Sequence, residues 1–246
     1  MIHIKHSVKL LVTTGFETDC STGESAMRCG TACIEGDRMT RLSLEARRQR
    51  FIAAAITVVA DEGVARATTR RIAEVAKIPL AGLHYCFATK EELFQAVVEA
   101  STTVGIGWAG RHVKPGMGLR AAVEAILKGH VEWMLENRSM VQAQFELTHW
   151  ALRSPEHRHL ATRELRAYLD MTTQLLREAR QKHETEVDLE ILAQHLIALV
   201  DGYAIQTLAL DKGPSGAAIE YSIYALKQAI ATQAPKSKPV RGKGGV

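Results

Sequence analysis

Residues 67–76 read Ala67-Thr68-Thr69-Arg70-Arg71-Ile72-Ala73-Glu74-Val75-Ala76, and residues 83–93 read Leu83-His84-Tyr85-Cys86-Phe87-Ala88-Thr89-Lys90-Glu91-Glu92-Leu93. Local chemistry divides this stretch into short helices. Thr68 can cap a helix that carries Ile72, Ala73 and Ala76 on one face. Pro79 opens a second short helix through Phe87, at a position where its missing N–H costs nothing. Thr89-Lys90-Glu91-Glu92 has the form of a capping box, in which the Thr89 hydroxyl takes the N3 amide and Glu92 reaches back to the cap. The helix it starts carries Leu93, Phe94, Val97 and Val98, and Gly105, Gly107 and Gly110 weaken its far end near Arg111. Upstream, Ile52, Ala55, Ile56, Val59 and Ala60 repeat at helical spacing until Gly63 stops the run. Three such helices, the second and third joined by a tight turn, make a helix-turn-helix.

The residues resemble the signature of the tetracycline-repressor (TetR) family. That signature has a Thr-led helix with Ile-Ala, a Leu-Tyr-x-x-Phe core, then Ser/Thr-Lys-Glu. The likeness is close over residues 47–98. Beyond them it extends as a helical layout and a looser similarity around Trp150-Ala151-Leu152-Arg153-Ser154-Pro155. It implies that the second short helix lies in the major groove, presenting Leu80, Ala81, Gly82, His84 and Tyr85, with Thr69 and Arg70 flanking it. Arg70 is the candidate base contact, since a guanidinium bridges O6 and N7 of guanine. Lys90 and the amides at the start of its helix suit a phosphate, and Thr68, Thr69 and Tyr85 add hydroxyls.

Four positions depart from the family pattern. Lys77 stands where a turn glycine is usual, so a lysine must take a left-handed conformation. Pro79 replaces the capping Ser/Thr, His84 the first tyrosine, and Cys86 a residue that is often aromatic or polar. The groove-facing helix then offers few polar groups to base edges. Apolar contact with thymine methyls and DNA shape are expected to carry much of the discrimination beside Arg70.

Working outward, residues 1–43 read as a disordered leader, with Met39 as the expected natural start, because no helical or strand period holds before it. Residues 44–99 are the expected DNA-binding head, 100–232 the ligand-binding and dimerisation body, and 233–246 a disordered basic tail with Lys236, Lys238, Arg241 and Lys243. The body reads as helices only. Leu119, Val123, Ile126, Leu127, His130 and Met134 form one stripe, and Val141–Leu152 a second segment. Ser154-Pro155 is a cap-plus-first-residue start for a helix carrying Leu165, Tyr168, Thr172, Leu175, Leu176 and Ala179. Leu189–Leu210 is apolar around most of its circumference, and after Gly213-Pro214 comes a last helix with Ile219, Ile223, Leu226 and Ile230. The fold class is all-α, a three-helix head on a helical body.

The resemblance implies that the last two long helices pair with their twofold mates, and Leu196, Leu199, Tyr203, Ile219, Ile223 and Leu226 are the expected dimer contacts. Two recognition helices one DNA turn apart imply a palindromic operator on double-stranded DNA. It also places an effector cavity in the body, where Trp108, Trp133, Met134, Phe145, His149, Trp150, Tyr168 and Met171 suit a small, mostly apolar molecule. These side chains are equally the material of an ordinary core, and His130 and His149 either orient a ligand or are satisfied core histidines.

A net charge of +4 permits nucleic acid without arguing for it. Cys20, Cys29, Cys33 and Cys86 show no disulfide framework, and Cys29 and Cys33 with His3 and His6 match no closed zinc pattern, so neither metal nor cofactor is expected. No run reads as a membrane span and no secretory signal is visible, which points to the cytoplasm. A helical-bundle enzyme is the competing class, but His157 and His159 are two apart and do not share a helix face, and no nucleophile elbow or phosphate-binding glycine loop occurs. A DNA-binding protein with no effector is the third.

Overall fold

The computed structural model describes residues 42–184 and 186–232. The expected start at Met39, nearly all of the leader, Cys20, Cys29, Cys33 and the basic tail lie outside the described residues. Within them every element is helical: α1 (Leu44–Glu62), α2 (Thr69–Ala76), α3 (Leu80–Cys86), α4 (Lys90–Gly110), α5 (Leu119–Glu136), α6 (Arg138–Arg153), α7 (Arg158–Ala179), α8 (Leu189–Leu210) and α9 (Gly216–Ala231). They form two compact units. The first holds residues 42–101 and 136–164, the second residues 102–135 and 165–232.

In the first unit, Ser43 caps α1 by accepting from the Ala46 amide at 3.1 Å. The helix buries Phe51, Ile52, Ala53, Ala54, Ala55, Ile56, Val58 and Val59, so it is enclosed on most sides, by α2, α3 and α6. Phe51 meets Phe87 edge-on at 6.5 Å between ring centroids, and Leu83, Leu93 and Phe94 close the core around them. Gly63 ends α1 at φ 81, a left-handed backbone natural to glycine.

Thr68 caps α2 through the Arg71 amide at 3.2 Å. The turn into α3 is closed by Ile78 N–H to Ala73 O (3.2 Å) and Lys77 N–H to Glu74 O (3.1 Å), with Ile78 buried beside it. Lys77 takes the left-handed conformation the sequence demanded, φ 55 and ψ 38. A side chain there costs about 1 kcal/mol relative to glycine. Lys77→Gly is therefore expected to raise unfolding stability by about that amount in a urea titration. An unchanged midpoint would mean that the lysine side chain recovers what the backbone loses.

Pro79 sits at the cap of α3, in the place of the family's Ser/Thr, and offers the helix no side-chain hydrogen bond. Two details differ from the sequence expectation. Ser154 closes α6, and its carbonyl accepts from the His157 and Arg158 amides, so α7 begins at Arg158 after a turn through Pro155. Helix α6 starts at Arg138, before the expected Val141.

In the second unit, Gly129 lets α5 approach the end of α4: a Cβ there would lie 2.7 Å from the Trp108 carbonyl oxygen. Glu124 ties α5 to α9, accepting from Lys128 at 2.7 Å and from Lys227. These lysines hold its carboxyl below the usual carboxylate range. Asp188 caps α8 through the Glu190 and Ile191 amides, and Ser215 caps α9 through the Ala218 amide. Contrary to the sequence reading, α8 is long and apolar enough to cross a membrane by composition alone, but 44% of the qualifying window is buried within the protein, as in the core helix of a bundle.

Candidate functional site

The exposed face of the head is built by α2, its turn and α3. Spacing of three and four residues puts Ala81, His84 and Tyr85 on one side of α3, all exposed, while Leu83 and Cys86 turn inward and Leu80 is half-buried. Burial also pushes the Cys86 thiol pKa up. Gly82 serves packing as well: a Cβ there would stand 3.0 Å from Ile78 Cγ2 and 3.9 Å from Phe51.

The two adjacent arginines of α2 have different fates. Arg71 is tied to Glu62 at 2.8 Å and Glu74 at 3.1 Å, and the hydrogen bond to Glu62, followed by that to Glu74, raises its pKa further. Arg70 is exposed, with no ion pair to any described residue. Thr69 beside it is half-buried.

Thr89 accepts from the Glu92 amide at 3.1 Å, while Glu92 reaches the Ala88 amide at 2.8 Å, one residue beyond the cap the sequence named. Lys90 lies with its ammonium 4.9 Å from the centre of the Phe94 ring, and burial lowers its pKa. Sequence reasoning missed Arg48. Its guanidinium donates to the Cys86 carbonyl, pairs with Glu92 at 3.5 Å and covers the Phe87 ring at 4.2 Å, clamping the end of α3 to α1. Arg48 is 38 residues from Cys86, and no local pattern announces such a contact.

The eight expected effector residues fall into both compact units. Trp108, Trp133, Met134, Tyr168 and Met171 belong to the second, Phe145, His149 and Trp150 to the first. In the second, Trp133, Met134 and Tyr168 are buried. Trp133 and Tyr168 both meet the α4 backbone at Gly105. Trp108 carries the Arg111 guanidinium on its face at 4.3 Å, and Met171 is exposed. His130 is fully buried, 6.2 Å from the Tyr168 ring.

In the first unit, Trp150 meets Phe94 edge-on at 5.4 Å and the tilted His157 ring at 4.2 Å. It lines a small recess with Phe94, Val98, Leu147, Leu160 and Glu164. Buried Glu164 accepts there from Gln144 Nε2 and Thr148 Oγ1, each at 2.6 Å. Phe145 and His149 pair at 6.2 Å.

The expected dimer contacts divide by burial within the protomer. Leu196, Tyr203, Ile223 and Leu226 are buried inside the protomer, and Leu199 and Ile219 are half-buried. They are largely the packing of the protomer itself, within which the Tyr203 hydroxyl donates to Ala218 O at 2.9 Å and lies 2.7 Å from Ser222 Oγ. The exposed stripes are Ala198, Asp201, Ile205 and Ala209 on α8, and Ala217, Tyr221, Tyr224 and Gln228 on α9. Among the described residues no group of three or more His, Cys, Asp or Glu side chains is arranged to hold a metal.

Comparison with known proteins gives this geometry a context. Residues 51–97 match the family described as bacterial regulatory proteins, tetR family, and residues 118–227 match the tetracyclin repressor-like C-terminal domain. The HTH-type nicotine-responsive transcriptional repressor HdnoR of Paenarthrobacter nicotinovorans is 32% identical over 174 residues, 71% of this chain and 90% of that protein. The multidrug binding protein EbrR, solved with imidazole, is 28% identical with a TM-score of 0.54, over 80% of this chain and 98% of its own. A TetR-family member from Streptomyces coelicolor A3 is 27% identical with a TM-score of 0.59, over 74% and 96%. A TetR-family regulator from Rhodococcus sp. reaches a TM-score of 0.63 at 21% identity, over 77% and 98%, a likeness of fold alone.

Proposed function

The chain belongs to the TetR family of bacterial transcriptional regulators, and from that premise we propose that it is a cytoplasmic, non-enzymatic repressor. It binds a near-palindromic operator as a homodimer and leaves it when a small, mostly apolar effector occupies the helical body. The observation that carries this reading is the head's exposed face: Ala81, His84 and Tyr85 on α3, with an unpaired Arg70 on α2 beside a fully tied Arg71. An arginine left free next to one held by two carboxylates is available to a base edge. The amides at the start of α4 add a phosphate anchor, with Lys90 near them.

The exposed stripes of α8 and α9 supply the surface for a second copy, and the twofold of such a dimer is mirrored in the operator. Effector binding acts by favouring one of two head spacings, which requires different affinity for the two states. HdnoR is nicotine-responsive, so nicotine is the first effector to test on this chain.

The test is a mobility shift with the purified protein and the DNA flanking its own gene, at about 50 and 200 mM salt. A shift that resists competitor DNA and maps to a palindrome is the expected result. Binding that competitor DNA removes entirely would overturn the operator reading. In the same assay Arg70→Ala is expected to weaken operator binding about ten- to a hundredfold, the worth of one bidentate base contact, and to relax selectivity at a single position of each half-site. Full affinity and selectivity in that variant would take the base contact away from Arg70.

A further inference from the structure

The structure leaves His130 only half satisfied as a core histidine. Its Nδ1 lies 3.1 Å from the Ile126 carbonyl oxygen. A carbonyl only accepts, so Nδ1 carries the proton and the neutral ring presents a bare lone pair at Nε2. Burial keeps the ring neutral, its pKa held down to about 4. Nε2 is buried and has no hydrogen-bond partner. Such an orphan is a standing cost to the fold that an arriving donor removes.

The surroundings narrow what that donor can belong to. Tyr168 of α7 faces the imidazole at 6.2 Å. One turn further along α7, the hydroxyl of Thr172 is also buried and without a partner. Trp133 lies one turn beyond His130 on α5, and Gly105 of α4 meets both Trp133 and the Tyr168 hydroxyl, at 3.4 and 3.0 Å from its would-be Cβ. Ile106 and Ile197 pack on Tyr168. The surrounding side chains are aromatic and aliphatic, and the buried polar atoms without a hydrogen-bond partner among them include an obligate acceptor, His130 Nε2, and a hydroxyl of either polarity, Thr172 Oγ1.

We propose that Nε2 of His130 is the acceptor that reads the effector, and that the effector is a largely aromatic or apolar molecule presenting one N–H or O–H donor. The Thr172 hydroxyl is its second polar contact. This rests on the effector-responsive reading above and specifies the chemistry of its pocket.

The experiment uses paired aromatic probes of matched shape, one of each pair lacking the donor: indole and 1-methylindole, phenol and anisole, 2-naphthol and 2-methoxynaphthalene. Binding to the full-length protein is read by thermal shift and titration, and operator binding by mobility shift on the same preparation. In the wild type the donor member of at least one pair is expected to bind about ten- to a hundredfold more tightly than its partner. His130→Phe is expected to erase that difference while keeping operator binding, and His130→Gln, whose amide oxygen accepts, to restore part of it. The inference is overturned if no pair separates in the wild type, or if a separation survives in His130→Phe. If His130→Phe does not fold, His130→Gln carries the assignment, and a separation there as large as in the wild type overturns it. Loss of operator binding by the wild type would instead count against the regulator reading.

Discussion

A protein carrying Tyr221→Asp and Tyr224→Asp is expected to sediment as a monomer and to bind operator DNA about a thousandfold more weakly than the wild type. Both rings are among the most exposed large apolar groups of the described chain, at 74% and 61%. They stand three apart on α9, on the face opposite buried Ile223 and Leu226. Carboxylates there leave the protomer's own core untouched, so helicity should persist. In a dimer formed through that stripe the same carboxylates are driven out of water with no cation to meet them, at several kcal/mol each.

The effect on DNA exceeds the loss of one head's contacts. In a dimer the second head binds at an effective concentration set by the body, in the millimolar range, and separation of the protomers abolishes that advantage altogether. Analytical ultracentrifugation gives the mass, and a mobility shift gives the affinity. A double variant that remains dimeric would move the interface off this stripe, and a monomer with undiminished affinity would remove dimerisation from the mechanism. The contrasting variant is Leu226→Ala, which alters the buried side of α9. It should lower the stability of the protomer by about 2–5 kcal/mol without introducing a charge at the interface.

The proposed dimer face also shows where sequence stops being informative. Helix α8 is apolar around most of its circumference, so its period does not say which side packs inside the protomer and which awaits a partner. Leu196 and Tyr203 fit either side by sequence, and the structure turns them in. Exposed Ile205 and Tyr221 carry the opposite lesson. The head was legible because its determinants are local. Thr68 and Thr89 cap the helices expected of them, and Lys77 enters the left-handed region at the position a departure from the family glycine required.

Contacts that join distant segments were invisible. Arg48 on the Cys86 carbonyl has no local signature, nor does the division of the eight expected effector residues between two compact units. Periodicity marks side chains as buried, but which buried side chains meet depends on the packing of whole helices.

Acid should separate the wild type from His130→Phe. The folded-state pKa of His130 is lowered from 6.5 to about 4 because the ring is fully buried, and the hydrogen bond to Ile126 O only partly offsets this. The unfolded chain therefore binds a proton in a window where the native protein does not. Where the unfolded state holds more protons, stability rises with pH. The contribution of His130 is complete above about pH 6.5, declines as pH falls through the window, and is gone below about pH 4. Across that window the difference is about 3 kcal/mol for a lone buried imidazole. Urea unfolding at pH 7.5 and pH 4, at fixed protein concentration so that the proposed dimerisation contributes equally, measures it. Carboxylates such as Glu124, whose pKa is depressed, also lose stability in acid, but they do so equally in both proteins. The wild type should thus lose about 3 kcal/mol more than His130→Phe over this range, and parallel losses would mean that the imidazole finds a proton-accepting partner or water in the acid state. A donor-bearing effector on Nε2 competes with that proton for the same lone pair. Its binding should therefore hold through the window and weaken only as pH falls to about 4 and below, where the native ring itself takes the proton.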